Sequence, residues 1–201
     1  MTTFDFNKNY ILEDEIVLLR PLTLDDYDNL LYFSIHEPDT WKYSAIQARG
    51  EVGLKNYLKV ALDAKEAKTA YPFIVFDKRA NKYAGSTRFY SIDVVNNTLH
   101  LGATWYGKDF QGTGVNKHCK FLLLQFAFEE LEVERVEFRA DSTNARSIAA
   151  MKSIGCTVEG ILRNDLNSVN GGISRRSSIV LSILKEEWFG RVKKNLAKKL
   201  S

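Results

Sequence analysis

The stretch Gln111-Gly112-Thr113-Gly114-Val115-Asn116 places two glycines between a segment of strand-like composition and a long apolar segment with helical spacing. Glycine allows the backbone to take positive φ angles and to approach a ligand closely. The first amides of a helix have no intrahelical partner, and they carry the positive end of the helix dipole. The stretch therefore predicts an anion site, for which phosphate or pyrophosphate is the natural guest.

The spacing of the glycines narrows the choice of ligand. A dinucleotide fingerprint, Gly-x-Gly-x-x-Gly, needs a third glycine where this chain has Lys117. The P-loop string Gly-x-x-x-x-Gly-Lys-Ser/Thr does not occur in the sequence. A nucleotide-binding domain for ATP or NAD is therefore disfavoured as an interpretation. The structural alternative is a strand-to-helix turn that binds no ligand.

Composition predicts one globular unit without a polyanionic partner. The chain has 201 residues, of which 45% are hydrophobic and 12% aromatic, and this composition supports a substantial core. We expect a single domain over residues 1–201, with a short basic tail at about 189–201. A formal net charge of +3 is too small to indicate a nucleic-acid-binding protein.

The sequence carries no targeting, membrane or metal signal. Residues 1–10 lack the basic start and apolar stretch of a secretory signal, and no run of about 18 apolar residues occurs. We therefore expect a cytoplasmic protein without a membrane contact. Cys119 and Cys156 form no Cys-x-x-Cys pair and are expected to be buried. The three histidines show no ligand spacing, so we expect no metal.

Hydrophobic periodicity predicts a mixed α/β chain. Strands are predicted at 16–21, 71–76, 83–92, 99–105, 135–140 and 179–183, the last reached through a hairpin turn at 170–172. Helices are predicted twice before residue 70, over 115–131, and from Asn144 to Gly155. The strand-helix alternation in the middle of the chain implies a right-handed parallel crossover in an otherwise antiparallel sheet.

The predicted fourth strand has two distinct faces. Apolar residues alternate along it with polar or small ones, which places Leu99, Leu101, Ala103 and Trp105 on one face and His100, Gly102 and Thr104 on the other. We therefore expect the side chains of Ala103 and Trp105 to point the same way.

A second motif begins and ends the helix after the fifth strand. Asn144-Ala145-Arg146-Ser147 begins it and Ile154-Gly155-Cys156 ends it, with the glycine eleven residues after the asparagine. This pattern resembles the second cofactor helix of the GNAT acyltransferases. Gln111 and Gly114 resemble the acyl-CoA pyrophosphate loop of the same family, from which Asn116 departs. The Asn-x-x-Ser head, the Trp-containing fourth strand and the closing segment Ser182–Trp188 look like the RimJ/RimL-type branch, so the resemblance covers nearly the whole chain.

The resemblance implies a GNAT fold with acetyl-CoA as co-substrate. In such a fold, helices flank a central, mostly antiparallel sheet of about seven strands, and the parallel fourth and fifth strands splay apart. The pantetheine arm then lies like an added strand against main-chain groups near Thr104, Trp105 and Tyr106. The resemblance places the pyrophosphate on the amides from Gly112 to Asn116, beside Gln111. It places Asn144 and Ser147 on the other side of the arm.

The resemblance also suggests catalytic candidates. His100 stands where RimJ/RimL-like proteins often have a glutamate, and a histidine with an ordinary pKa of about 6.5 accepts a proton at neutral pH. Met151 replaces the tyrosine that protonates the thiolate in many GNAT enzymes, which leaves Ser147 as the candidate donor. An amide near Tyr106 is expected to polarise the thioester carbonyl, and Tyr90 is expected to face the acceptor. The plain alternatives are a structural sheet histidine at His100 and helix capping at Ser147.

We therefore expect an N-acetyltransferase that moves an acetyl group from acetyl-CoA to a primary amine by direct attack in a ternary complex. The resemblance suggests a protein N-terminal α-amine as the acceptor, and a small amine such as a polyamine or an antibiotic is the alternative. An acyl-CoA-binding regulatory module without turnover is the rival from another class, because the usual tyrosine and glutamate are missing. We expect a monomer or a homodimer.

Overall fold

The computed structural model describes residues 4–167 and 175–200. The strands are β1 Leu12–Glu13, β2 Val17–Pro21, β3 Ala70–Asp77, β4 Lys82–Asp93, β5 Thr98–Tyr106, β6 Arg135–Asp141, β7 Thr157–Asn167 and β8 Arg175–Leu184. The α-helices are α1 Tyr27–His36, α2 Gly50–Glu66, α3 Val115–Gln125, α4 Ala145–Ser153, α5 Lys185–Glu187 and α6 Lys193–Ala197. Short 3-10 turns lie at Leu24–Asp26, Pro38–Trp41 and Lys108–Phe110, and π turns follow α3 at Phe126–Glu130 and α5 at Trp188–Val192.

One mixed sheet organises the chain. Within the described ranges it has eight strands in the order β1-β2-β3-β4-β5-β6-β8-β7, and every neighbouring pair is antiparallel except β5 and β6. The predicted mixed α/β fold with a parallel pair is therefore confirmed. The predicted count of about seven strands is low by one, because the two-residue β1 is too short to show a period. The turn predicted at 170–172 lies outside the described residues.

Helices cover both faces of the sheet. The side chain of Trp105 packs against Phe33 of α1 and Tyr57 of α2, with ring centres 5.7 and 6.3 Å away. The hydroxyl of its neighbour Thr104 instead accepts a hydrogen bond from Lys120 of α3 at 2.7 Å. Successive strand residues point to opposite faces, so α1 and α2 lie on one face and α3 on the other.

A β-bulge in β5 changes the predicted alternation. Ser86 pairs with Trp105 and Arg88 pairs with Gly102, so β5 has one residue more than β4 across this interval. Ala103 takes a positive φ of 47° and its side chain is exposed. The prediction that Ala103 and Trp105 share an apolar face is therefore wrong. The extra residue moves Trp105 to the other face, which periodicity alone does not reveal.

The C-terminal segment packs back on the domain through an apolar stripe. Trp188, Val192 and Leu196 are buried, and the Trp188 ring stacks on Phe128 with centres 5.7 Å apart. The basic residues of the predicted tail lie mainly on the exposed side of these turns. None of the helices in the described part of the chain is long and apolar enough to cross a membrane.

Candidate active site

The loop between β5 and α3 presents a run of backbone amides for which the described part of the chain supplies no acceptor. The amides of residues 112–116 donate to no group among the described residues. Those of Lys117 and His118 bond the carbonyl of Gly114 at 2.8 and 3.2 Å. Gly112 and Gly114 take positive φ angles of 78° and 95°, which other residues adopt only under strain. The loop at the start of α3 therefore has the backbone geometry of a nest that can accept an anion.

Side chains hold this loop in place from two directions. Arg79 donates from both terminal nitrogens to the carbonyl of Thr113, at 3.3 and 3.4 Å. The side-chain amide of Gln111 donates to the carbonyl of Tyr106 at 2.8 Å, and its oxygen accepts a hydrogen bond from Arg146. The Gln111 side chain thus connects the end of β5 to the first turn of α4, which leaves the loop amides to meet a ligand.

A wedge opens between β5 and β6. Their parallel pairing covers only Thr98–His100 against Arg135–Glu137. Beyond that point β5 is paired only with β4, and β6 is paired only with β8. The facing edges of residues 101–106 and 138–141 therefore have no strand partner, and an extended ligand with amide groups can add there as a strand.

The first turn of α4 lies beyond the end of β6. Asn144 is the N-cap residue, and its side-chain oxygen accepts a hydrogen bond from the Ser147 amide at 3.1 Å. The capping role considered for Ser147 therefore belongs to Asn144. The Ser147 hydroxyl bonds no described residue, and Ser147 is half-buried. Met151, one turn further along, is buried and has no proton to donate.

His100 lies at the apex of the wedge, opposite Glu137 in the last parallel pair. Its Nε2 atom is 3.3 Å from Oε1 of Glu137. Its Nδ1 atom is buried and has no hydrogen-bond partner among the described residues. Burial lowers the pKa of His100, although the charge of Glu137 opposes this shift. The imidazole is therefore neutral at pH 7 and has an unprotonated nitrogen.

Two arginines keep Glu137 ionised. Arg135 donates to Oε2 of Glu137 at 2.9 Å, and Arg139 donates to Oε1 at 2.6 Å. Burial alone would raise the pKa of Glu137, but these hydrogen bonds outweigh it and hold the pKa below its usual value. A carboxylate beside Nε2 of His100 favours the tautomer with its proton on Nε2. Nδ1 is then the nitrogen that accepts a proton.

Tyr90 stands beside His100 on the neighbouring strand. The two residues are paired across β4 and β5, and their ring centres are 5.0 Å apart. The tyrosine ring also covers Gly102, where a Cβ atom would lie 3.1 Å from a ring carbon. Burial raises the pKa of Tyr90, so its hydroxyl stays protonated at neutral pH. The structure thus brings the predicted acceptor-side tyrosine and the predicted base together.

The remaining strand residues offer only their main chain to a ligand in the wedge. The indole nitrogen of Trp105 donates to the Tyr57 hydroxyl at 3.1 Å, and the Trp105 ring lies 4.5 Å from that of Trp41. Tyr106 is buried as well, and the Thr104 hydroxyl is bonded to Lys120. If these residues bind a cofactor, as the sequence predicts, they do so through backbone groups, because the side chains of Thr104, Trp105 and Tyr106 are already engaged or buried.

Sequence reasoning missed three polar side chains near this site: Glu137, Arg88 and Lys120. Glu137 contacts His100 only because of the parallel register of β5 and β6, which the sequence does not reveal. Lys120 is a buried lysine on the otherwise apolar side of α3. A charged residue within an apolar helical pattern was the signal from which its unusual position could have been predicted. No group of three or more His, Cys, Asp or Glu side chains in the described ranges could hold a metal ion.

A sheet opened by a parallel wedge, with a loop of free amides at the start of the following helix, is the arrangement of the GNAT acyltransferases. The comparison with family models agrees: residues 17–157 match the acetyltransferase (GNAT) domain, and this chain belongs to that family. The predicted family is therefore confirmed.

Named relatives fall in the same group. The chain is 36% identical over 106 residues to a Bacillus subtilis (strain 168) protein provisionally named ribosomal N-acetyltransferase YdaF, a match spanning 53% of this chain and 56% of that protein. It is 28% identical to the uncharacterized N-acetyltransferase p20 of Bacillus licheniformis, over 89% of this chain and 98% of the relative. A crystal structure of a T. thermophilus protein, provisionally described as an acetyltransferase, superposes with a TM-score of 0.86 at 30% identity and full coverage of both chains. The YdaF name agrees with the RimJ/RimL-type branch.

Proposed function

We propose that this protein transfers an acetyl group from acetyl-CoA to a primary amine in a ternary complex, and that the amine is the N-terminal α-amine of a protein. Family membership supports acetyl transfer to an amine. The relative named as a ribosomal N-acetyltransferase supports a protein acceptor. The observation that carries the proposal is the row of free amides at residues 112–116 together with the open wedge between β5 and β6.

The residues at this site fit a coenzyme A diphosphate and its pantetheine arm. The unpaired amides of the loop and the dipole of α3 favour a doubly charged group. The free edges of β5 and β6 offer donors and acceptors to the amide groups of the arm, as a strand partner would. Asn116 replaces the usual small residue of the family loop, yet it still contributes a backbone amide.

The chain's own groups support direct attack by the amine. Bound acetyl-CoA supplies an activated acetyl thioester. His100, neutral at pH 7, takes the proton that the amine loses as its nitrogen forms a bond to the acetyl carbon, and Glu137 holds the imidazole in the required tautomer. A main-chain amide near Tyr106 would polarise the carbonyl of the bound thioester. The Ser147 hydroxyl is the candidate group that hydrogen-bonds the departing sulfur.

A covalent route through a cysteine is disfavoured by burial. Cys119 and Cys156 are both buried free thiols. Burial raises the pKa of each to about 12. A thiol that stays protonated at neutral pH is a poor nucleophile, so neither cysteine is suited to carry the acetyl group.

The proposal is tested by two measurements on one preparation. Calorimetric titration with coenzyme A should show saturable binding. Release of free thiol from acetyl-CoA should then follow addition of amines, with peptides bearing free N-termini tested beside a polyamine and an aminoglycoside. Folded protein that takes up no coenzyme A would reject the proposal. Tight binding without transfer to any acceptor would favour the regulatory module instead.

Substitution of Gly114 by valine should weaken coenzyme A binding by about tenfold. A β-branched residue at a φ of 95° costs on the order of 1–2 kcal/mol, and relief of that strain turns the amides away from the nest. Calorimetric affinities of the two proteins provide the comparison. Gly160→Val is the matched control, since Gly160 lies on β7 and no atom lies near its Cβ position. Equal affinities for wild type and Gly114→Val would contradict the nest.

Replacement of Glu137 by glutamine should lower kcat by roughly tenfold and move the acid limb of the pH–rate profile to lower pH. The carboxylate raises the pKa of His100, so removing its charge lets that pKa fall further. Glu159→Gln is the control, because Glu159 shares Arg135 with Glu137 but has no contact with His100. A lower rate with an unshifted profile would mean that Glu137 is only structural.

A further inference from the structure

Arg88 is a buried cation without a counter-ion among the described residues. Only 6% of the residue is exposed, and its Nε and Nη2 atoms have no hydrogen-bond partner in the described part of the chain. Its guanidinium lies over the ring of Tyr57, 5.2 Å from the ring centre. The contact with an aromatic face stabilises the charge in part but satisfies none of its N–H donors.

Such a charge is unusual in a folded chain. A buried guanidinium is normally paired with a carboxylate, because desolvation of an unpaired ion costs several kcal/mol. No acidic side chain of the described residues lies within ion-pair distance of Arg88. The residues outside the described ranges include no Asp or Glu in the sequence. The chain therefore has no acidic side chain placed to neutralise this cation.

Arg88 lies on the side of the candidate active site where the acceptor is expected, next to Tyr90 on β4. It pairs with Gly102, and two residues further along β4, Tyr90 pairs with His100. Side chains two residues apart on a strand share a face, at a spacing of about 7 Å. The backbone positions of Arg88 and His100 are therefore one pleat apart on adjacent strands, with both side chains on the same face of the sheet.

Other cations surround the same position. Arg176 donates to the carbonyl of Tyr43 at 3.0 Å, but its buried Nε atom has no partner among the described residues. The positive charges of Arg139, Arg88 and Arg176 all act on the Tyr90 hydroxyl. Nearby acids are already engaged, since Glu137 is bonded to Arg135 and Arg139, and Asp141 lies 4.0 Å from Arg176. The acceptor side thus has an excess of positive charge.

We propose that Arg88 binds a carboxylate of the acceptor, so that the preferred substrates are primary amines that carry a carboxylate close to the amine. This inference rests on the proposed acetyl transfer and specifies its substrate class. A free amino acid and a protein N-terminus with Asp or Glu among its first residues both provide this chemistry.

Paired acceptors that differ only in the acidic group test the inference. One pair is alanine and alaninamide, which differ only in the α-carboxylate. The other is an N-terminal Asp peptide with a blocked C-terminus and its Asn counterpart. Wild-type kcat/KM should favour the acidic member of at least one pair by about thirtyfold, as a charge-assisted bidentate contact allows. The pair that shows the preference distinguishes a small acceptor from a peptide.

Variants connect the preference to Arg88. Arg88→Met should abolish it by lowering kcat/KM only for the acidic acceptors, and Arg88→Lys should restore part of it. Lys82→Met, which removes an exposed cation from the same strand, should keep it. Unchanged coenzyme A binding by Arg88→Met shows that the variant is folded. Equal wild-type rates on both members of each pair would overturn the inference and leave acetyl transfer standing.

A binding measurement keeps the inference testable if no acceptor is acetylated. Coenzyme A-loaded protein is titrated with two acetylated pairs, N-acetylalanine with N-acetylalaninamide and an N-acetyl-Asp peptide amide with its Asn counterpart. Selective binding of the acidic compound that disappears in Arg88→Met supports the carboxylate site even though the proposed function has failed. Absence of selective binding, together with absence of turnover, overturns both.

Discussion

Replacement of His100 by alanine is expected to lower kcat for acetyl transfer by roughly 10²- to 10⁴-fold, the range measured for positioned general bases. The physical reason is that His100 brings an unprotonated nitrogen to the apex of the wedge, while its Nε2 atom lies 3.3 Å from the carboxylate of Glu137. Coenzyme A affinity should not change, because His100 lies near the start of β5 whereas the loop amides of residues 112–116 follow the end of that strand. Steady-state rates with calorimetric affinities separate the two effects.

The pH dependence gives a second test of the same residue. Burial lowers the pKa of His100, so the base is already deprotonated below the pH at which an ordinary histidine would be. The rate for wild type should therefore rise with pH through that lowered pKa and level off before neutrality. His100→Ala should lose this limb, and added imidazole should restore part of the rate.

Two further variants make this test sharper. His100→Gln keeps a side chain that can hydrogen-bond Glu137 but cannot take up a proton, so it should be as slow as His100→Ala. His36→Ala removes an exposed histidine at the end of α1 and should keep full activity. Wild-type turnover by His100→Gln at every pH would show that the imidazole is an ordinary structural group.

Much of the fold was predictable because its signals are local. Gly112 and Gly114 predict a turn with positive φ, and Asn144 and Gly155 predict the two ends of α4. These residues determine backbone geometry within a few positions of themselves. The loop and the helix ends could therefore be located from the sequence before their spatial relation was known.

The rest depended on register, which one sequence does not encode in a readable form. The bulge at Ala103 exposes that side chain and moves Trp105 to the α1–α2 face, although both residues are apolar and alternate with their neighbours. The contact between His100 and Glu137 exists only because β5 and β6 are paired in one particular parallel register. In the sequence Arg88 resembles any polar residue of a strand, and only the structure shows that Tyr57 of α2 covers it. The residues that tune the site were therefore the ones that sequence reasoning missed.

Lys120 is the second residue with a large expected effect, and its effect is on stability. It is buried on α3 between the two strands of the wedge, with its amino group 2.7 Å from the Thr104 hydroxyl and 5.9 Å from the ring centre of Phe138. Burial lowers its pKa to about 8 from the ordinary 10.5. No ion pair within 4.0 Å compensates the charge in the described residues.

The sign of the effect follows from proton binding. Between pH 8 and 10.5 the unfolded chain holds a proton on Lys120 that the folded chain has released, so the free energy of unfolding rises with pH across that window. At about 1.4 kcal/mol per unit of pKa, the full difference is on the order of 3 kcal/mol. Lys120→Met should remove this penalty at pH 7. The lost hydrogen bond to Thr104 should offset about 1 kcal/mol of that gain in the free energy of unfolding.

We therefore expect Lys120→Met to be more stable than wild type by about 2 kcal/mol at pH 7 and to lose that advantage as the pH rises through 10.5, because above that pH the wild-type lysine becomes neutral in both states. Urea unfolding of both proteins across this range measures the difference, in which the titration of all other groups cancels. Lys152→Met, at an exposed lysine of α4, should show no such trend. A Lys120→Met protein that is less stable than wild type at pH 7 would mean that the ammonium group holds the two strands in place, because its bond to Thr104 would then outweigh the desolvation of the charge.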